Sequence, residues 1–251
     1  MRYERLGTIM EILEEVQSIN LDTLCERLEV SKNTVRRDIA LLEQEGKIKK
    51  FYGGIRIATS NEPTPFTIRE QSHFEEKKKL AEAAAALVKS GDVIFIDSGT
   101  TTMHMVPYLV GKSNVTIVSA SLNIMVGAAQ YNLSLIGTGG TLYGPSNCFV
   151  GSSVLQALSQ YNLSHAFMSS SGLSNTGCVT NASPLESEIK KHIMQSSCPK
   201  TLLIDNSKFG RSALVTYAHI DQFEKVITDS RPEKMWTDML EENRVELIMS
   251  T

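Results

Sequence analysis

The 251-residue sequence contains no apolar run long enough to cross a bilayer, and its opening stretch, MRYERLGTIMEILEEV, is interrupted by charges where a secretory leader would be continuous. A soluble, cytoplasmic protein without a membrane partner is expected. The four cysteines, at 25, 148, 178 and 198, include no C-x-x-C pair and have no histidine at metal-ligand spacing. That argues against a disulfide framework and a zinc site and leaves them as small buried hydrophobes. The five histidines, His73, His104, His165, His192 and His219, form no motif. The glycine-rich run GTGGTLYG has Leu142 where a G-x-G-x-x-G fingerprint needs its last glycine, and no acidic residue is placed to take a ribose. NAD is rejected, and neither cofactor nor metal is expected.

Net charge is also small, −3, but its sign is unevenly spread. Between Ser31 and Arg56 stand seven basic and three acidic residues, a local excess of +4 in an otherwise acidic chain. Such a patch is the footprint of phosphate-backbone contact. With 41% hydrophobic residues the chain is long enough for one large domain or for a large and a small one, and two domains fit better.

The most informative stretch is Ser31 to Gly46, SKNTVRRDIALLEQEG. Ser31 is a good N-cap, no Pro or Gly interrupts the following residues, and Gly46 supplies a stop. At about 100° per residue, Val35, Ile39 and Leu42 fall on one stripe and Asn33, Arg37, Ala40 and Gln44 on the opposite one, flanked by Thr34 and Arg36. An amide and a guanidinium one turn apart near a helix N-terminus suit base edges in a major groove. An ordinary surface helix would show the same charges, so the neighbouring segments decide.

Leu6, Ile9, Met10, Leu13 and Val16, then Leu21, Leu24, Cys25 and Leu28, repeat at helical spacing around a break at Ser18 to Asn20. Only Glu29 and Val30 separate the second helix from Ser31, the connection of a helix-turn-helix. After Gly46, KIKKFYGGIRI has strand-like residues on both sides of Gly53-Gly54 and reads as a wing, with Lys47, Lys49 and Lys50 set beside the sugar-phosphate backbone. The DNA-contacting set is expected to be Ser31, Lys32, Asn33, Thr34, Arg36, Arg37, Lys49, Lys50, Tyr52 and Gly53.

The run LCERLEVSKNTVRRDIALLEQEGKIKKFYGGI resembles the winged helix-turn-helix of the DeoR family of bacterial transcriptional regulators, with the V-S-x-x-T-x-R-R-D-x-x-x-L core at Val30 to Leu42 and the paired glycines at Gly53 and Gly54. Phe51-Tyr52 replaces the more usual pair ending in His.

A small reading domain is therefore assigned to residues 1–57 and a linker to 58–73. Its stretch Ala58 to Thr67, with Pro63 and Pro65, is expected to be extended and non-helical. A helix from Phe74 to about Lys89 opens the large domain, 74–251.

There, seven short apolar runs, at 93–97, 115–119, 133–137, 165–170, 201–205, 225–229 and 245–249, alternate with helical patterns. That is the signature of an α/β fold, doubly wound around a mainly parallel sheet. Ligands in such folds bind outside the carboxyl ends of strands. The segments following the runs are small, hydroxylic or Gly-rich: DSGTTT, SASLN, GTGG, SSSG and DNSKFG. DSGTTT leading into a helix after Thr102 suits a phosphate. Lys208 is the one cation the sequence places there. The expected effector-binding set is Asp97, Ser98, Gly99, Thr100, Thr101, Thr102, Ser119, Ser121, Gly139, Gly140, Gly172 and Lys208.

This half resembles the sensor domain of the same family at Glu75-x-Lys77, at Asp97 to Thr101, at Gly139-Gly140, at Gly172, at Glu188 and Lys190, and at Asp205-x-Ser207-Lys208-Phe209-Gly210. The family often has Thr-Asn-Ser where this chain has Ser119-Ala120-Ser121. The resemblance implies a fold related to ribose-5-phosphate isomerase, a phosphorylated sugar as effector and double-stranded operator DNA as partner. A repressor of a sugar or sugar-derivative catabolism operon is expected, and at least a homodimer, since one short helix reads too few base pairs.

The competing reading is a sugar-phosphate isomerase-like enzyme with an appended DNA reader. Those isomerases carry an acid-rich D-G-A-D-E turn where this chain has Ser169 to Gly172, and Glu186 and Glu188, among Lys190, Lys191 and His192, read as a charged helix face. A non-enzyme is therefore expected.

Overall fold

The computed structural model describes residues 2–16, 18–51, 53–57 and 66–250. The chain divides into two compact units, 1–64 and 65–251.

In the smaller unit, helix α1 (Arg2–Val16) is followed by a short strand β1 (Ser18–Asn20), α2 (Leu21–Leu28), α3 (Lys32–Gln44) and the hairpin β2 (Ile48–Phe51) and β3 (Gly54–Ile57). The break at Ser18 to Asn20 is thus itself a strand, pairing antiparallel with β3 so that Ile19 faces Ile55. Leu6, Ile9, Leu13, Leu24, Val35, Ile39, Leu42, Ile48 and Ile55 share one core. Asp38, in the middle of α3, is buried as well and accepts from Arg5 Nε of α1 at 2.6 Å. The Arg-Arg-Asp run is therefore split, with its acid pointing inward.

The larger unit opens with α4 (Phe66–Gln71). Phe66 and Thr67 are helical where an extended connector was expected, because Phe66 is buried and the following residues favour helix. The rest of Ala58 to Thr67, with Pro63 and Pro65, lies outside the described residues. Then come α5 (Phe74–Ala86), β4 (Val93–Ile96), β5 (Thr116–Ser119), α6 (Leu122–Gln130), β6 (Ser134–Gly137), a hairpin of β7 (Thr141–Tyr143) and β8 (Cys148–Val150), α7 (Ser152–Leu158), β9 (His165–Ser169), β10 (Gly172–Leu173), β11 (Cys178–Asn181), α8 (Pro184–Met194), β12 (Lys200–Leu203), β13 (Val215–His219), β14 (Lys225–Thr228), α9 (Lys234–Glu242) and β15 (Glu246–Met249).

All seven expected strands join one parallel sheet in the order β15-β14-β12-β9-β4-β5-β6. Successive residues feed opposite faces, as a pleated strand requires. Ile94 and Ile96 of β4, Phe167 of β9 and Leu203 of β12 pack with α5 and α6. Phe95, Ala166, Met168 and Leu202 pack with α7, α8 and α9. Burying one such side chain stabilises by about 1.5–3 kcal/mol. Cys148 and Cys198 sit in the second core, while Cys25 and Cys178 are only half-buried. A small antiparallel sheet, β10-β11-β13, flanks the carboxyl end of β9.

The chain runs β4, β5, β6 outward to one side, then returns to β9 and runs β12, β14, β15 to the other. The order reverses between β4 and β9. That switch point is where an open α/β sheet leaves a crevice for ligand.

Candidate functional site

Two sites follow from this architecture, one on each unit. On α3, Ser31 caps the helix, its Oγ accepting from Thr34 N at 3.3 Å and lying 3.0 Å from Thr34 Oγ1. Val35, Ile39 and Leu42 are buried, while Asn33, Arg36, Arg37, Ala40 and Gln44 are exposed on the outer face. Several surrounding cations are already paired: Lys32 with Asp22, Lys47 with Glu45 and Lys50 with Glu43. Arg36 and Arg37 form no ion pair among the described residues, so the uncompensated positive charge concentrates on the reading face. Lys49 is half-buried opposite Arg56, and Gly53, at φ +88°, lets the wing turn. Tyr52 lies outside the described residues.

On the larger unit the crevice is built by the loop after β4. Asp97 is buried, and its Oδ2 accepts from Ser169 N at 3.0 Å, from Ser169 Oγ and from Lys190 Nζ. Lys190 also donates to Ser169 O at 3.0 Å and lies 5.2 Å from the centre of the Tyr217 ring. The Tyr217 hydroxyl donates to the same carbonyl at 2.8 Å. Burial, and then the charge of Asp97, push that phenol well above its ordinary pKa. This network sews β4 to β9 across the switch point.

Above it, Ser98 to Thr102 are buried. Thr102 Oγ1 donates to Asp97 O at 2.6 Å and Gly99 O at 3.0 Å, folding the loop over into a 3₁₀ helix, Thr102–Leu109. A regular α-helix was expected there; Pro107 lacks the N–H its ladder would need. Among the described residues the backbone N–H groups of Ser98, Gly99, Thr100 and Thr101, and the hydroxyls of Thr100 and Thr101, have no acceptor. Buried, unpaired N–H groups are rare, and a run of them forms a concave site for an anion.

The other expected effector residues divide. Ser119 Oγ donates to Ile96 O at 2.7 Å, and Ser121 Oγ caps α6 by accepting from Ile124 N at 3.4 Å, so both hydroxyls serve the fold. Gly139 and Gly140, at φ +62° and +115°, form an exposed turn into the β7–β8 hairpin rather than into a helix. Gly172 is packed against the Arg211 carbonyl, which a Cβ would meet at 2.5 Å.

Lys208 is not the sole cation. Lys77, on α5, is 3% exposed and lies in the field of Lys208, Arg69 and Asp205. Burial first, and then repulsion by Lys208, push its pKa down to about 8. Burial likewise lowers that of half-buried Lys208, against the pull of Asp205. The charge of Lys77 also reaches His104 on the 3₁₀ helix, adding to burial in lowering its pKa. Lys77 thus lies in the field of both Lys208 and His104, and the start of α5 packs on the 3₁₀ helix that follows the loop, the Phe74 ring lying 5.2 Å from that of His104.

The reading of Glu186 as part of a charged helix face is corrected. Glu186 and Lys190, four apart on α8, are both buried toward the crevice, Glu186 Oε1 accepting from Ser98 Oγ at 3.4 Å, while Glu188 points outward. The signal was in the spacing, since i and i+4 share a face.

The profile of the DeoR C terminal sensor domain matches residues 72–230, and that of the DeoR-like helix-turn-helix domain matches residues 5–61. The chain is 38% identical to the HTH-type transcriptional regulator IolR of Bacillus subtilis over 98% of each chain. It is 29% identical to the glycerol-3-phosphate regulon repressor of Escherichia coli over 97% of each, and 30% identical to that organism's L-fucose operon activator over 92% of this chain and 96% of the relative. Among solved structures, ribose 5-phosphate isomerase A from Methanocaldococcus jannaschii superposes with a TM-score of 0.42 at 21% identity, over 55% of each chain. With a helix-turn-helix at one end and a sensor domain at the other, the chain belongs to the DeoR family and is a DNA-binding transcriptional regulator.

Proposed function

We propose that the protein represses an operon for the breakdown of a sugar or sugar derivative, and that a phosphorylated sugar in the switch-point crevice releases it from its operator. The observation that carries the effector half is that, among the described residues, the N–H groups of the buried segment Ser98 to Thr101 have no acceptor, on a unit that also carries the cations Lys77 and Lys208 close enough to repel each other. Phosphate oxygens need donors of this kind, and charge-assisted bonds in a partly dry crevice are strong ones. The relatives agree in kind, one being named a glycerol-3-phosphate regulon repressor. An activator also stands among them, and the sign of regulation is read here as repression.

An isomerase reading is disfavoured by the same geometry. A general base must be available to a carbon acid. Asp97 is engaged by Ser169 and Lys190, and Glu186 by Ser98.

The test begins with duplexes selected by the full-length protein from a random pool. Anisotropy titrations of a selected duplex against a panel of phosphorylated sugars should find one that weakens binding by a coupling of about 1–3 kcal/mol, while its unphosphorylated form does nothing. Lys208→Ala and Thr100→Val should bind the duplex as the wild type does and fail to respond. Turnover of any panel member in a coupled assay, or an undiminished response in both variants, would overturn the assignment.

A further inference from the structure

We propose that Lys77 is a bridge through which α4, the element next in sequence to the DNA-reading unit, senses an anion in the crevice. This rests on the effector reading above and adds its route of regulation. Lys77 is buried in the first turn of α5, and its ammonium donates to the carbonyl oxygen of Arg69 in α4. Carbonyls in the last turn of a helix have no partner within it, so Lys77 caps α4 from outside. The helix has only six residues, held also by the buried Phe66 ring, over which the Arg69 guanidinium lies at 5.6 Å. A helix so short does not persist by itself. Its order depends on such outside contacts.

An ammonium has three donors. The bond to Arg69 O uses one, and Lys77 Nζ makes no other hydrogen bond among the described residues. A phosphate held by the Ser98 to Thr101 N–H groups and Lys208 can therefore engage Lys77 without displacing Arg69. Its charge offsets the repulsion between Lys77 and Lys208 and the cost of burying both. The ammonium, already charged below pH 8, is then held from two sides, by the phosphate and by the Arg69 carbonyl, and the cap on α4 tightens. Lys77 thus acts on α4 as well as on the ligand. A group that only neutralised the crevice would leave α4 unchanged.

Inorganic phosphate is the probe, with binding to the full-length protein followed by calorimetry and local order by amide hydrogen exchange of residues 66–71. At saturation, exchange across α4 should slow at least about fivefold in the wild type, the lower end of a typical coupling. Lys208→Ala should need more phosphate but show the same slowing once saturated. Lys77→Met keeps the length and apolar stem of the side chain; in it α4 should exchange faster from the start and not respond to saturating phosphate. Equal slowing in Lys77→Met, or unchanged α4 exchange in a wild type that binds phosphate, would overturn the bridge and leave the crevice reading standing. Absence of saturable phosphate binding in the wild type would remove the crevice reading and the bridge with it.

Discussion

At Gly99 a Cβ would stand 2.1 Å from Ser169 Oγ and 2.5 Å from Ser169 Cβ, and Ser169 is held in place by Asp97 on one side and Lys190 on the other. Gly99→Ala should therefore force the β4 loop away from β9. Chemical denaturation should register a loss of about 1–3 kcal/mol, and phosphate binding should disappear with it. The Asp97 to Thr101 turn was legible because glycine and hydroxyls clustered at a strand end. Lys77 was marked only by the family resemblance at Glu75-x-Lys77, with no role attached. It is one of three consecutive lysines, and only packing decides which of them is buried. Its pH behaviour gives a separate expectation. The folded pKa, about 8, lies below the ordinary 10.5, so the unfolded chain binds more protons between those values and stability rises with pH across that window. The burial penalty is present in full below pH 8 and is relieved towards 10.5. Lys77→Met should accordingly be more stable than the wild type at pH 7, with the difference shrinking as the pH approaches 10. Parallel thermal melts that stayed equally far apart throughout would show the penalty to be absent.

Among the elements, the seven parallel strands could be read from continuous apolar runs, since strands covered on both faces need no alternation of polar residues. The pieces that could not are short: β1 with three residues, β10 with two, and the β7–β8 hairpin with three in each strand, of which Thr141 and Leu142 are exposed. Helix α4 was masked by the prolines before it. The amphipathic pattern of α3 was complete enough to place Arg37 outward, and a prediction follows for the reading face. Arg37→Ala should cost about 1–3 kcal/mol on a selected duplex and relax sequence preference, whereas Lys49→Ala should weaken all duplexes alike and lower the salt slope by about 1. Binding measured at several salt concentrations on matched and scrambled duplexes separates the two. Identical losses on every sequence would move the reading face elsewhere.

For the whole molecule, one α3 contacts too few base pairs to give useful affinity, so the operator-bound form is expected to be at least a dimer on repeated half-sites. Sedimentation with a selected duplex should give two or more chains per DNA, and deleting one half-site should abolish tight binding. A single chain binding one half-site tightly would contradict this. The reversal of strand order has a consequence in time as well as in space. Asp97 and Ser169 are 72 positions apart, and the join between β4 and β9 brings together one run of strands built on each side of it. Each run is assembled from neighbours in sequence, but the join must close a long loop, a slow kind of contact to make. The crevice is then among the last features to form on folding and among the first to be lost on unfolding. A phosphate bound there should leave the refolding rate nearly unchanged and lower the unfolding rate, as for contacts absent from the transition state. In the cell, the ligand would then prolong the life of finished sensors while doing nothing to hasten their making.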